Sequence, residues 1–595
     1  MTSVDELFKK SGLPSKRKLE PLRNPDEVYK SAKLSSDSSR HTAQADDAPE
    51  DEDLEAGPAP PPDGEDDDGD YGPSMPPEDD AEDEEGRFFG GGVTAQESRA
   101  LDYINETDGN DESLLTEEKI DFPWLKKTAL KFEQRINKNA TQRAKYESDP
   151  SKFIQSEADL DADIKALSIL GEHPELYPQL VELGTVGSLV GLLAHENTDI
   201  AIGAIEIIGE LTDEDVAAED EQWDALVNAL LEADVIGLLV SNLQRLNEDG
   251  DDEADREGVY KALAVVENLC SNALTAEKIG AEDGLLKWLL QRIQRKERPI
   301  TQNKQYAAEI LAILVQTSAA NRRKLASLDA VDSMLQLVAS YRKLDPEKGQ
   351  EEEYMENLFE ALTSIVDEPE GKKKFIDAEG MELCLIMLKE GKRSKSAALR
   401  LVDHAVGGSL GTEACQKVVE AGGLKTFFTM FMKKHPDNQT TEHLVSIFSW
   451  MLRLLPGDSP ERIRLLAKFV EKDYEKADKL VKLRRDFAAR LRLIDEQLDK
   501  DKAQYTEAAD FEDERFLRRL DAGLFTLQTV DVVLAWLVAE DGGAQKKIQA
   551  LLADRDETFQ VLKTSLQERL DAIDDKESQD GKDSADMLIA LMEFL

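Results

Sequence analysis

At 595 residues the chain exceeds the size at which one compact core keeps growing, so several domains or an elongated repeat array is expected. Acidic residues number 124 against 73 basic ones, a formal net charge of -51, which opposes broad contact with nucleic-acid phosphates or anionic lipid and favours a basic partner. Cys270, Cys384 and Cys415 lack the spacing of a disulfide framework or zinc site, no apolar stretch approaches a membrane span, and the opening "MTSVDELFKKSGLPSKRKLE" has no signal core, so a soluble intracellular protein is expected.

Residues 1–118 read as a disordered tail. "DDAPEDEDLEAGPAPPPDGEDDDGDYGPSMPPEDDAEDEEG" combines acid runs with Pro and Gly and has almost nothing to bury, so chain entropy prevails. Upstream, Lys16, Arg17 and Lys18 sit in a compact basic cluster that suits a nuclear localisation signal. A solvated charge cluster fits those residues as readily. "FFGGGV", Phe88 to Val93, reads as tail or as a short docking motif.

Helix formers take over from residue 119, and residues 119–175 are expected to form an N-terminal helical cap. Residues 176–460 repeat. Val186, Leu189, Val190, Leu192 and Leu193 define a helical apolar template that returns at Ile236, Leu286, Val331, Met381 and Leu424. Asn242 and Arg292 are the polar exceptions, and the step is roughly 43 to 50 residues, near that of armadillo or HEAT units. Each template is followed by a loop and a second helix: "DIAIGAIEIIGEL", "GVYKALAVVENLC", "KQYAAEILAIL", "YMENLFEAL", "SAALRLVDHAV" and "EHLVSIFSWML". Such units bury one face on the preceding unit and another on the next. Gly184, Gly284 and Gly422 ahead of the templates suit a tight corner, favouring three-helix armadillo geometry over a plain HEAT hairpin. The fold expected is all-α, an armadillo/HEAT-like right-handed superhelical solenoid. Residues 461–595 lose the period and read as a helical C-terminal cap, with "ERIRLLAKFVEKDYEKADKLVKLRRDFAARLRLIDEQL" as one long helix and "RFLRRLDAGLFTLQTVDVVLAWLVAED" as a shorter apolar one.

Catalytic spacings are absent: no phosphate-binding glycine loop, no HExxH and no serine elbow occur, so no enzyme activity and no cofactor are expected. His435 and His443 alone among the dispersed histidines are near enough in sequence to suggest a shared metal, and their loop and helix-start locations argue against one. Binding chemistry concentrates on the second helices, which carry Glu206, Glu210, Glu267, Asn268, Glu309, Glu356, Asn357 and Asp403, with Glu360 and His404 beside them. A ladder of acids and amides fits an extended basic peptide, carboxylates meeting Lys or Arg and asparagine amides bonding its backbone. The same residues fit the solvated face of amphipathic helices equally well.

The segments "DPSKFIQSEADLDADI", "LYPQLVELGTVGSLVGLLAHENTDIAI", "GLLKWLL", "MENLFEAL", "LVDHAVG", "GTEACQKVV" and "FLRRLDAGLFTLQ" resemble, in order, the beta-catenin-like family of nuclear armadillo proteins associated with the spliceosome. "RRLDAGLF" lies outside the repeats, which makes the resemblance specific, while "GGGVTAQESRALDYINETDGNDESLL" has no counterpart in it. The resemblance implies a nuclear, noncatalytic scaffold of pre-mRNA splicing. Its implied partners are nineteen-complex components, bound through basic nuclear-localisation-like segments held in the armadillo groove. It carries the groove role onto the eight residues above. The net charge and the lack of an apolar span leave no sequence-specific nucleic-acid binding and no membrane binding expected, and a homodimer stays open. A nuclear import adaptor is the alternative, but it should repeat a Trp and Asn pair on successive second helices; only Asn268 and Asn357 recur, and Trp450 stands alone. A cytoplasmic assembly adaptor would need no nuclear signal.

Overall fold

A computed structural model describes residues 119–595 apart from 251–252, 435–436, 502–507 and 574–577. The tail, with Lys16, Arg17, Lys18 and Phe88 to Val93, lies outside the described residues, as does His435. Among the described residues there is no strand, and no single helix is long and apolar enough to cross a membrane.

Two α-helices precede the repeats among the described residues: α1 (Phe122–Lys145), opened by an Asp121 cap on the Trp124 amide, and α2 (Ile154–Lys165). Six three-helix units follow. The first is α3 (Tyr177–Glu182), α4 (Thr185–Gly191) and α5 (Thr198–Leu211); the second is α6 (Asp220–Glu232), α7 (Val235–Arg245) and α8 (Glu253–Leu269). Next come α9 (Ala273–Gly280), α10 (Asp283–Gln294) and α11 (Gln302–Thr317), then α12 (Ala319–Ser327), α13 (Ala330–Val338) and α14 (Gln350–Val366). The fifth unit is α15 (Pro369–Asp377), α16 (Gly380–Glu390) and α17 (Ser394–Val406), and the sixth α18 (Thr412–Glu420), α19 (Gly423–Phe431) and α20 (Asn438–Leu454). This is an armadillo solenoid.

The template positions are the core of each middle helix. Val186, Leu189, Val190, Leu239, Leu286, Val331, Met381 and Phe427 are all buried, and one continuous apolar core runs from Leu125 to Leu562. Each fully buried large aliphatic side chain contributes about 1.5–3 kcal/mol, so stacking supplies what no single unit could. The two polar exceptions are structural. Asn242 is buried and donates to the carbonyls of Leu193 and Leu238 at 2.8 Å, closing a helix end of the first unit. Arg292, 5% exposed, pairs through Nε with Glu248 at 2.7 Å and through Nη1 with Glu297 at 2.9 Å.

The corner between first and middle helix is left-handed in five units. Gly184 and Gly422 occupy it as their residue type allows, with φ of 74° and 75°, but Asp234, Asp329 and Glu379 also take it, with φ of 60°, 57° and 56°. Gly284 does not form a corner. In the third unit Glu282 stays at φ -79° and caps α10 through the Gly284 amide, while Gly284 lies within that helix against Val240.

Beyond the repeats lie α21 (Pro460–Asp501), α22 (Ala508–Asp521), α23 (Leu524–Glu540), α24 (Gly542–Ala553), α25 (Gln560–Asp571) and α26 (Gln579–Glu593). Two readings from sequence are corrected here. α21 is broken, because Lys472, Asp473 and Tyr474 are left-handed at φ 54°, 54° and 64°; Tyr474 is pinned by its hydroxyl to Asp541 Oδ1 at 2.9 Å. The "RFLRRLDAGLF" stretch bends by 65° between α22 and α23 at Gly523, whose φ is 98°. α23 packs on α20 as each third helix packs on the one before, so it prolongs the stack although the sequence period has ended.

Candidate peptide-binding face

The third helices α5, α8, α11, α14 and α17 pack in succession and carry all eight residues singled out from the sequence. Apolar positions at helical spacing turn inward, leaving these polar ones on the opposite side. Glu210 and Glu356 are exposed; Glu206, Glu267, Asn268, Glu309, Asn357 and Asp403 are half-buried.

Most of the half-buried ones already bridge helices. Glu206 Oε2 of α5 meets Lys261 Nζ of α8 at 2.9 Å. Glu267 accepts from the Tyr306 hydroxyl of α11. Asn268 Nδ2 donates back to the Gly209 carbonyl at 3.1 Å and to Thr212 Oγ1 at 3.4 Å, closing the end of α5. Glu309 accepts from Gln305 within its own helix at 2.9 Å. On the next helices Gln316 Nε2 reaches Glu360 Oε1 at 2.8 Å, and Arg400 Nη2 lies 3.4 Å from the other oxygen of that carboxylate. Asp403 Oδ2 faces His443 Nδ1 of α20 at 2.9 Å. By contrast Glu210 and Asn357 have no side-chain partner among the described residues.

The sequence reading therefore found the helices and the acids but missed their partners Lys261, Tyr306, Gln316, Arg400 and His443. Each sits on the next or preceding third helix, 39 to 44 residues away in four of these five pairs, and no local spacing announces it. The face is thus less acidic than its carboxylates suggest. His404 adds to this: burial works against its imidazolium, but the hydrogen bond and charge of Asp367, with Asp403 behind, outweigh burial and raise its pKa. An ionised carboxylate has about four lone-pair sites, so one already bridged by a single donor can take a second cation. Trp450 lies beside Gly407, with the Arg453 guanidinium 5.2 Å from its ring centre. His443 is committed to Asp403, and among the described residues no group of His, Cys, Asp and Glu is arranged to hold a metal.

A family model described as "Catenin-beta-like, Arm-motif containing nuclear" matches residues 98–567. The chain belongs to this family. Beta-catenin-like protein 1 homolog of Schizosaccharomyces pombe is 37% identical over 476 residues, covering 80% of this chain and 82% of the relative. The human and mouse beta-catenin-like protein 1 are each 37% identical, covering 78% and 80% of this chain and 84% and 86% of their own lengths. Membership of the nuclear catenin-beta-like family places the protein in the nucleus and spans α1 to α25 in part or whole, so both the repeats and most of the C-terminal helices belong to the shared architecture.

Proposed function

We propose that this protein is a noncatalytic scaffold of pre-mRNA splicing, associated with the nineteen complex, that holds basic nuclear-localisation-like segments of splicing proteins along its third-helix face. The observation that carries the reading is the gathering of Glu206, Glu210, Glu267, Asn268, Glu309, Glu356, Asn357 and Asp403 on five consecutively packed helices. Exposed Glu210 and Glu356 take the Lys or Arg side chains first, and Asn357 offers an uncommitted amide to the peptide backbone. Nuclear entry is assigned to Lys16, Arg17 and Lys18; alanine at all three should abolish nuclear accumulation of a fluorescent fusion to the isolated tail, and undiminished accumulation would remove the assignment.

The groove is tested by reversing Glu210 and Glu356 together to Lys and measuring a Lys/Arg-rich peptide by calorimetry. Contacts of about 1 kcal/mol each, at about 1.4 kcal/mol per decade, give roughly tenfold weaker binding or more. The control reverses Asp224 and Asp377, exposed acids on the first helices α6 and α15. Equal losses in both variants would mean diffuse electrostatics, and no loss in either would return these acids to a solvated helix face.

A further inference from the structure

The loops that join middle to third helices change sign at the third unit. In the first two units, residues 192–197 and 246–252 hold no Lys or Arg. In the next four, residues 295–301, 339–349, 391–393 and 432–437 each hold two or more, in a chain of net charge -51. These loops are neighbours along one edge of the stack. Arg295 lies 3.4 Å from Glu248 of the loop before it, and Tyr354 Oη, in the first turns of α14, donates to the Ile293 carbonyl at the end of α10 at 2.7 Å. Lys343 lies 3.4 Å from Glu390, and Lys392 lies 3.4 Å from Asp345, joining the fourth and fifth units. α19 packs on α16 and carries the edge into the sixth.

Those contacts occupy the acids of the edge and leave cations over. Glu297 is held by Arg292 and Arg295, Glu390 by Lys343 and Asp345 by Lys392, while Asp437 caps α20 through the Thr440 amide. Lys296, Arg298, Arg342, Lys389, Lys433 and Lys434 are exposed and have no ion-pair partner among the described residues. Helix C-terminal ends favour cations, but that preference acts equally on the first two units, whose loops lack them, so it does not account for the change of sign.

The chemistry of the edge selects its occupant. Lys, which supplies four of these six cations, is depleted in protein–protein interfaces, whose centres are apolar and aromatic. Here Leu344 is the one exposed large apolar side chain of the four loops, and Tyr341 is buried, so there is neither an apolar centre for a folded partner nor a ring on which a base could stack. What remains is a row of hydrated point charges, which suits a backbone carrying an anion at every step. Neighbouring helices lie about 8–10 Å apart, so four loops span roughly 25–30 Å. Successive units are rotated as well as displaced, and a flexible strand follows such a row where a stiff duplex does not. Acids elsewhere on the protein are screened beyond about 8 Å at physiological salt.

We propose that this edge of the third to sixth units binds single-stranded nucleic acid through its phosphates, without reading the bases. The inference does not depend on a basic peptide lying on the third-helix face.

The test titrates the full-length protein into fluorescein-labelled oligouridylate and oligocytidylate of about 20 nucleotides and reads anisotropy. Both strands should bind alike. With four to six phosphates neutralised, affinity should fall about 50- to 300-fold between 50 and 200 mM salt. Lys296→Gln, Arg342→Gln and Lys389→Gln combined should weaken binding at the lower salt by about tenfold or more and reduce the logarithmic salt slope by about 2. The control combines Lys126→Gln, Lys546→Gln and Lys582→Gln, exposed lysines on α1, α24 and α26, for the same change in net charge, and should move affinity by less than about threefold. Lys16, Arg17 and Lys18 are present in every protein compared, so the differences report the edge. Circular dichroism checks folding; the six exchanged side chains are exposed. Absence of binding at the lower salt, or equal effects of the two triple variants, would overturn the proposal. So would a Glu homopeptide or an RNA duplex of the same length that binds as tightly as the strand and is lost in the edge variant.

Discussion

Asp403 Oδ2 and His443 Nδ1 meet at 2.9 Å between the fifth and sixth units, while Asp403 Oδ1 and His443 Nε2 are buried with no hydrogen-bond partner. Such a pair is coupled: removing one member strands the other in a site with little water. Asp403→Ala or His443→Ala alone should cost about 1–3 kcal/mol. The double variant should cost less than the sum of the two, by roughly 0.5–3 kcal/mol. Urea denaturation of the four proteins measures this, and strict additivity would show that the contact carries no coupling.

The unit corners offer a backbone test. Glu379 holds φ 56°, a left-handed conformation that costs a side-chain-bearing residue about 1–2 kcal/mol, whereas Gly422 holds φ 75° at the equivalent corner. Glu379→Gly should therefore be close to neutral, because relief of strain is opposed by the greater freedom of glycine in the unfolded chain. Gly422→Ala should destabilise by about 1 kcal/mol or more, although its added Cβ meets nothing within 4 Å. A neutral Gly422→Ala in thermal unfolding would contradict the assigned corner.

Polar locks between units should be as important as apolar contacts of similar size. Asn321 Nδ2 donates to the carbonyls of Ala276 at 2.9 Å and Leu314 at 3.1 Å, and the side chain lies where a Cβ on Gly280 would go. Asn321→Ala orphans two buried acceptors, so a loss of about 1–3 kcal/mol for each left unsatisfied is expected. Gly280→Ala should also destabilise, by displacing Asn321. Hydrogen exchange should locate the weakened amides at the junction of α9, α11 and α12.

Asp531 gives a pH dependence with a defined sign. Burial pushes its carboxyl up to about 7 against the pull of Arg484, 2.9 Å away. In the unfolded chain the group titrates near 3.9. Between these values the folded protein keeps a proton that the unfolded chain has released, so the contribution of this group is full below about pH 4 and falls as pH rises to about 7. Asp531→Asn removes the titration. Relative to that variant, the unaltered protein should lose stability from pH 4 to pH 7; a difference that stays flat across this range would exclude the shift.

Much of this architecture was legible in the sequence because it is written locally. Apolar residues at helical spacing, returning from Val186 to Leu424, determine where the middle helices lie and that each unit needs neighbours, since a stripe of that width cannot be covered within one unit. The same periodicity turns Glu206, Glu210 and Glu356 away from the core, so their place on the third helices follows from residue order alone. The break at Lys472 to Tyr474 had no such signal: nothing in "VEKDYEKAD" interrupts helix propensity, and the turn is held by Asp541 and Lys547, from α23–α24 and α24, against Tyr474 and Asp473.

Tertiary structure alone decided which acids remain open to a ligand. Whether a carboxylate on one third helix meets Lys261, Tyr306 or His443 on the next depends on the rotation and rise between successive units, which are set by how side chains from three helices interlock along the whole stack. Helical periodicity specifies the face of a residue but carries no information about that rotation, so Glu206 and Glu210, one turn apart on α5, read alike in sequence and differ in the fold: one is bridged to Lys261 and the other faces solvent.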